Sequence, residues 1–160
     1  MTIGRAGRHN FIQNWDFGTT GSVFLRTVSQ GGEAWTSSAG TIRTAGDSEY
    51  HHALAMANLV DASTADDGWS ARNRMTWSSG AGHAATECVF WNTAGSGTLT
   101  SLQYGLGYII GTQDLEIRTE VLDLLDSAGT GPEDWVEGLG EGATLWPPSL
   151  YEEQLRRRGY

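Results

Sequence analysis

The chain has 160 residues, the length of one domain, and a formal net charge of −9 in which all ten basic residues are arginine. This acidic balance argues against a nucleic-acid partner, because nucleic-acid binders present a basic face, and the absence of lysine excludes Schiff-base chemistry. No apolar run approaches the roughly 18–20 residues of a membrane helix, and the N-terminus lacks a signal-peptide pattern, so no membrane partner is expected.

Short strands joined by glycine-containing turns are predicted for residues 1–112, where no segment has helical periodicity. An apolar segment at residues 10–14 is followed by a second at 22–25, almost at the start of the chain. We therefore expect the chain to be part of a larger protein. Two long connections, residues 28–47 and 63–68, are predicted to project as loops. The single cysteine, Cys88, lies in an apolar run and is predicted to be a buried thiol without a disulfide partner.

An internal repeat follows, in which residues 52–61 match residues 83–92 at an offset of 31. The offset superposes similar residues, namely His52 on His83, Leu59 on Phe90 and Asp61 on Asn92. Repeats of this length indicate stacked coils whose short strands pair in parallel. The predicted fold is an all-β, right-handed parallel β-helix over residues 1–128. An antiparallel sandwich or barrel is the alternative that short, regularly spaced strands also permit.

The tail, residues 129–160, is predicted to close the same domain. Residues 115–119 alternate like a strand, the state of 121–125 stays open, and 129–142 form a loop rich in glycine and acidic residues. Ser149 then begins a short capping helix as its N-cap, with Glu152 as the capping-box partner. The N-terminal end shows no such cap, which predicts a homodimer formed through the first coil.

Seven segments of the sequence carry a family resemblance. They are HHALAMANLVD at 51–61, DGWSARNR at 67–74, GAGHAAT at 80–86, VFWN at 89–92, GYIIGT at 107–112, DWVEG at 134–138 and SLYE at 149–152. These segments resemble the last coils of bacterial right-handed parallel β-helix proteins of the pectate-lyase-like superfamily. The resemblance implies an extracellular or cell-surface protein in a superfamily rich in polysaccharide lyases and hydrolases. It leaves the activity open, because a fold does not fix a function.

His52 and His83 are the first candidate catalytic residues, because the repeat would stack them on adjacent coils about 5 Å apart. Such a pair can act as a general base or bind a divalent metal, although a structural ladder of histidines is the simpler interpretation. We therefore predict no cofactor, with a divalent metal as the alternative. His9 and His51 are predicted to lie at the surface.

The other candidates are two carboxylates and two arginines. Asp66 and Asp67 faintly echo the paired aspartates of polygalacturonase-type hydrolases, but the accompanying motifs of those enzymes are missing. The same two carboxylates could be turn residues or calcium ligands. Arg72 and Arg74 share one side of a strand and could clamp a uronate carboxylate, as a lyase requires, or could neutralise the two aspartates.

Aromatic side chains are the expected sugar-binding groups, and we assign this role to Trp69, Trp77 and Tyr104. The predicted function is a carbohydrate-active module that binds or cleaves an extracellular polysaccharide, as a lyase or a glycoside hydrolase. The alternative is a non-catalytic structural or binding fragment of a larger secreted surface protein.

Overall fold

The computed structural model describes residues 1–13, 18–40, 43–44, 46–119 and 133–160. Within these residues the protein is predominantly β, with parallel sheets and a short C-terminal helix. The strands are β1 (Thr2–Arg5), β2 (Ile12–Gln13), β3 (Val23–Leu25), β4 (Thr27–Gln30), β5 (Trp35–Thr36), β6 (Arg43–Thr44), β7 (Ser48–Tyr50), β8 (Ala55–Met56), β9 (Leu59–Asp61), β10 (Thr64–Ala65), β11 (Trp69–Arg72), β12 (Ala85–Thr86), β13 (Val89–Ala94), β14 (Thr98–Leu102), β15 (Tyr108–Gln113), β16 (Glu116–Arg118) and β17 (Trp135–Glu137).

Helical structure is sparse, as the sequence predicts. The one-turn element α1 (Trp77–Gly80) contains Ser78 and Ser79 with positive φ angles of 52° and 63°, so it is a tight turn and not a regular helix. A 3₁₀ turn covers Gly142–Thr144, and α2 (Leu150–Arg158) is the C-terminal helix. In the part of the chain that the structure describes, no helix has the length and apolar character needed to cross a membrane.

Three parallel sheets account for most of the strands. The first has the order β1-β4-β10-β13-β15-β17, with β3 and β9 paired alongside, and the second has the order β2-β7-β11-β14-β16. The third pairs β8 with β12, and only the short hairpin β5–β6 is antiparallel among the described strands. The chain runs from β9 and β10 in the first sheet to β11 in the second and β12 in the third, and then returns to the first at β13. The predicted parallel pairing is therefore confirmed, and the antiparallel alternative is wrong.

The strand register corrects the predicted repeat by one residue. Leu59 pairs with Val89 and Val60 pairs with Phe90, an offset of 30 and not 31. Because side chains alternate across a strand, a slip of one residue exchanges the two faces of the sheet. Val60 and Phe90 are accordingly both buried, whereas Leu59 is half-buried. The predicted equivalence of Leu59 with Phe90 is wrong.

An aromatic cluster forms the core between the sheets. Trp69 is 1% exposed, and its ring lies 6.0 Å from that of Phe11 and 5.1 Å from that of Phe24, between ring centroids. Tyr50 and Phe90 complete the cluster. These residues come from strands or segments far apart in sequence, so the core depends on parallel stacking. Cys88 is also fully buried, which confirms the prediction for the thiol.

The two predicted projecting loops are shorter than expected. Residues 28–47 begin inside β4 and contain the β5–β6 hairpin, while residues 63–68 contain β10. Gly32 and Gly46 approach so closely at the base of the hairpin segment that a Cβ on Gly32 would lie 1.5 Å from the Gly46 carbonyl oxygen. Only glycine permits this contact, and it fixes the hairpin beside Asp67, whose Oδ2 would be 2.9 Å from the same Cβ.

The tail agrees with the sequence in part. β16 confirms the strand predicted at residues 115–119, and residues 121–125 lie outside the described part of the chain. The loop predicted at 129–142 is wrong over β17, which pairs in parallel with β15. Helix α2 is confirmed, and the Glu152 amide donates a 3.2 Å hydrogen bond to the Ser149 hydroxyl, the predicted N-cap. The Glu152 carboxylate binds Arg26, with a 2.5 Å contact from Nη2 to Oε2.

A buried carboxylate anchors this helix to the first sheet. Asp61 is fully buried, and its Oδ2 accepts hydrogen bonds from the Ser149 hydroxyl at 2.7 Å and the Tyr151 amide at 2.8 Å. Oδ1 accepts a third from the Leu150 amide at 3.2 Å. The free amides of a helix N-terminus favour an anion. The Asp61 carboxylate, at the end of β9, is the anion that binds the N-terminus of α2.

Candidate functional site

One row of polar side chains crosses the second sheet on the face opposite the aromatic core. The register aligns Glu49 with Ser70, Ser70 with Thr100, and Thr100 with Arg118. Their neighbours in the strands, such as Tyr50 and Trp69, are buried in the core. Strict alternation along β7, β11, β14 and β16 therefore assembles a polar floor from four strands.

A cavity of about 280 Å³ lies over this floor. Four arginines, two histidines, three acidic residues and three hydroxyl residues line it. They are Arg8, Arg72, Arg74, Arg118, His9, His51, Asp47, Glu49, Asp67, Ser70, Thr98 and Thr100. Four of the ten arginines of the chain thus line one cavity, so positive charge is concentrated there although the chain as a whole is acidic.

Glu49 is the centre of the charged groups. Its side chain is 2% exposed, and it contacts His9, His51 and Arg74. The Nε2 atom of His9 lies 3.0 Å from Oε1, His51 Nδ1 contacts the same oxygen, and the Arg74 guanidinium contacts Oε2. A carboxylate this deeply buried requires positive partners, because its desolvation is otherwise very costly.

The surroundings of the two histidines fix the proton position of His9 and lower the pKa of both rings. Nδ1 of His9 donates a 2.8 Å hydrogen bond to the Asp47 carbonyl oxygen, which can only accept, and this fixes the proton on Nδ1. The Nε2 atom of His9 is buried and makes no hydrogen bond within the described part of the chain. Burial, followed by the charges of His9 and Arg8, lowers the pKa of His51 to about 4. Burial also lowers the pKa of His9.

Two aspartates complete the wall. Burial raises the pKa of the Asp47 carboxyl, which makes it a stronger base than an exposed aspartate. Asp67 accepts a 2.6 Å hydrogen bond from the Asn10 amide on Oδ2, while its Oδ1 is buried without a hydrogen-bond partner. Asp67 thus has an acceptor atom to offer at the cavity.

The structure brings together four of the six predicted catalytic residues. Asp67, Arg72 and Arg74 line the cavity, and the ring centroid of His52 lies 4.6 Å from that of His51 at its margin. The Nε2 atom of His52 donates to the carbonyl oxygen of Ser78 at 2.9 Å, and the hydroxyl of the same serine accepts a 3.0 Å hydrogen bond from Arg74. His52 is therefore joined to the site through Arg74.

The other two predicted catalytic residues lie outside the cavity lining. The His83 ring packs on Tyr104 at 3.9 Å between centroids, and Asp66 accepts a 3.2 Å hydrogen bond from the Ser96 amide. The register of 30 residues removes the argument that placed His52 and His83 at equivalent positions. The two histidines instead have different surroundings.

The three predicted sugar-binding aromatics also have different placements. Trp69 is a core residue whose ring faces are covered, so its assignment to ligand binding is wrong. Trp77 is half-buried in α1, and Tyr104 is 46% exposed but lies beside His83, away from the cavity lining. Trp35, which was not singled out, is 38% exposed and packs under the guanidinium of the cavity residue Arg8, 4.8 Å from the ring centroid.

The sequence missed the most buried charged residues of the site. His9 and His51, predicted at the surface, have side chains only 10% and 12% exposed, and the buried Glu49 between them was not considered. One local signal was present, since Glu49 and His51 are two residues apart and must share a strand face. His9 lies 40 residues before Glu49, so only the fold reveals that contact. Comparison of the chain with family models, curated proteins and solved structures gave no match.

Proposed function

We propose that the chain is a right-handed parallel β-helix module that binds an acidic extracellular polysaccharide in the cavity over its second sheet. Support for the β-helix comes from the order in which the chain visits three parallel sheets and returns to the first. Parallel crossover connections are right-handed in about 98% of cases, which gives the handedness. Such an acidic polymer belongs to an extracellular or cell-surface setting, as the family resemblance implies.

The gathering of four arginines in one cavity is the observation that carries the ligand assignment. A guanidinium presents a planar pair of N–H donors that matches a carboxylate, so Arg8, Arg72 and Arg118 suit the uronate groups of an acidic chain. Two of the four already contact a carboxylate of the chain, Arg74 that of Glu49 and Arg118 that of Glu116, where Nη2 lies 2.9 Å from Oε1. The cavity volume is just below the range of about 300–1,000 Å³ typical of small-molecule sites, which suits a single sugar unit of a longer chain.

Cleavage by β-elimination is a second candidate, favoured by the raised pKa of Asp47. In this reaction Arg72 neutralises the uronate carboxylate, and Asp47 removes the proton from C5. The electron pair then forms the C4=C5 double bond, and the C4–O bond breaks with its oxygen taking up a proton. Hydrolysis would instead need two carboxyl groups about 5–9.5 Å apart and free to act, whereas both oxygens of Glu49 are held by protein groups, Oε1 by the two histidines and Oε2 by Arg74.

Binding to defined polysaccharides tests the proposal. Polygalacturonate and alginate are expected to bind the purified chain, whereas dextran and laminarin are not, as measured by calorimetry. Arg72→Gln should weaken binding at least tenfold, because one charge-assisted bidentate contact is worth about 1.5–3 kcal/mol. Arg157→Gln, at an exposed arginine of α2, is the matched control and should bind like the parent protein. Equal binding of neutral polymers, or an equal loss in the two variants, would contradict the assignment.

A homodimer through the N-terminal strands is also proposed. β1 and β2 stand at the edges of the first and second sheets, and their residues Ile3 and Ile12 are 46% and 38% exposed. Exposed apolar edge strands readily pair with another strand, and a two-fold axis would let a second copy cover both. Sedimentation should give a dimer for the parent chain and a monomer for Ile3→Lys. A monomeric parent at micromolar concentration would refute the dimer.

A further inference from the structure

We propose that His9, Glu49 and His51 form a binding site for one divalent transition-metal ion, with Zn²⁺ the ion that fits best. The inference stands independently of the polysaccharide, because it rests on how three donor atoms are placed. It also differs from the metal site considered from the sequence, which would have used His52 and His83.

The donor atoms have the spacing of a metal site. One ligand atom from each of His9, Glu49 and His51 lies within 4.8 Å of the other two. Nε2 of His9 and Nδ1 of His51 both contact the same oxygen, Oε1 of Glu49. In a tetrahedral site with bonds of about 2.0–2.1 Å, two ligand atoms are about 3.4 Å apart. The 3.0 Å between His9 Nε2 and Glu49 Oε1 would therefore widen by only a few tenths of an ångström on binding. The closer contact of His51 Nδ1 with the same oxygen would have to widen further.

The tautomer of His9 supplies the second, independent observation. Its Nδ1 proton is committed to the Asp47 carbonyl oxygen, so the neutral ring directs a lone pair from Nε2 towards a carboxylate oxygen. Two acceptors at this distance repel each other unless a cation or a proton lies between them. The His9 side chain is nine-tenths buried, and its Nε2 has no hydrogen-bond partner among the described residues. A metal ion would bind both atoms at once.

Neighbouring groups orient the side chains of these ligands, as they do in known metal sites. Ligating histidines commonly donate their second N–H to a backbone carbonyl, which fixes ring orientation, and His9 does so with Asp47. The Arg74 guanidinium holds the other carboxylate oxygen of Glu49 and orients it.

The donor set determines the class of ion. Two imidazole nitrogens and one carboxylate oxygen suit Zn²⁺ and its neighbours, whereas Ca²⁺ and Mg²⁺ prefer oxygen ligands throughout. Three protein ligands leave a fourth position open towards the cavity that His9, Glu49 and His51 line. An anionic group held by the cavity arginines could occupy that position. The ion would thereby add a fixed positive charge to the cavity lining, which also contains Arg8 and Arg72.

Calorimetry with Zn²⁺ and absorption spectroscopy with Co²⁺ test the inference on the intact chain. We expect one Zn²⁺ per chain, and Co²⁺ should give the intense visible bands of a four-coordinate ion and be displaced by Zn²⁺. His9→Gln and Glu49→Gln should each weaken Zn²⁺ binding at least tenfold. His83→Gln is the matched control, since this histidine packs on Tyr104 outside the cavity, and it should bind like the parent.

The wild-type spectrum keeps the inference testable even if a variant fails to fold. Absence of stoichiometric Zn²⁺ binding by the folded parent would overturn it and would mean that a proton bridges His9 and Glu49. A Co²⁺ spectrum typical of six-coordinate aqua ions would also overturn it. So would an equal loss of Zn²⁺ binding in His83→Gln and His9→Gln. Weak polysaccharide binding alongside normal Zn²⁺ binding would refute only the proposed function.

Discussion

Replacing Asp61 with asparagine should detach the C-terminal helix from the first sheet. The carboxylate of Asp61 is fully buried and accepts three hydrogen bonds, two of them on Oδ2 from the Ser149 hydroxyl and the Tyr151 amide. Asparagine has nearly the same shape but places an NH₂ group where one of these oxygens stands. In the better of its two orientations the amide oxygen takes the place of Oδ2, and the NH₂ group faces the Leu150 amide and cannot accept from it.

The expected cost follows from the bonds that are lost. Hydrogen bonds to a charged group contribute about 1.5–3 kcal/mol each and those to a neutral group about 0.5–1.5 kcal/mol, so the substitution removes one bond and weakens the other two by about 1 kcal/mol each. The loss of the negative charge at the helix N-terminus adds up to about 1 kcal/mol. Because the helix can partly move away and rehydrate, we expect a net loss near the lower bound, about 3 kcal/mol. For a chain of this length that corresponds to a fall in Tm of roughly 6–12 °C.

Thermal and urea unfolding followed by circular dichroism would measure the effect. Arg26→Gln is the matched control, because it removes the other side-chain contact to the helix, an exposed ion pair with Glu152 that contributes at most about 1 kcal/mol. Hydrogen exchange in the Asp61→Asn variant should lose protection first in α2. A destabilisation by Asp61→Asn of less than 1 kcal/mol, or one equal to that of Arg26→Gln, would refute the anchoring role.

Three further predictions concern the core. Phe90→Ala should lower the free energy of unfolding by about 3–5 kcal/mol in urea titrations, whereas Tyr104→Ala at an exposed ring should cost much less; equal losses would contradict the described core. The Cys88 thiol should not react with a disulfide reagent until the chain unfolds, and rapid labelling of the native chain would contradict its burial. Burial raises the pKa of Cys88 above 9.0 and that of Tyr50 above 10.0, so the unfolded chain loses these protons first. Stability should therefore hold below about pH 9 and fall as the pH rises, by at most about 1.4 kcal/mol per pH unit for each group. Cys88→Ala should make this fall shallower, and an unchanged slope would exclude the thiol as its cause.

The repeat in the sequence predicted parallel strands, because stacked coils produce similar residues at a fixed offset. The predicted register was wrong by one residue. Leu59 and Val60 are both apolar, as are Val89 and Phe90, so the period of two that would fix the register is hidden. The structure also shows that the spacing is not constant. Val23 pairs with Leu59 at an offset of 36 and Phe90 with Ile109 at 19, because connections of different length lie between the strands.

The candidate site was predictable only where its residues are close in sequence. Arg72 and Arg74 stand two apart, which predicts a common side in a strand; β11 ends at Arg72, but both residues line the cavity. Glu49 and its contact to His9 depend on the pairing of β7 with β2 and on the segment before it. Such long-range contacts leave no local pattern. The pattern of charges along the sequence also does not predict the burial of Glu49, because that burial depends on contact with Arg74.

A crystal structure of the chain with a short oligogalacturonate tests the central claim most directly. We expect a uronate carboxylate within hydrogen-bonding distance of the Arg72 or Arg118 guanidinium, with the sugar ring over Ser70 and Thr100 on the second sheet. An oligosaccharide bound elsewhere, for instance against the exposed ring of Tyr104 with the arginine-lined cavity empty, would contradict it.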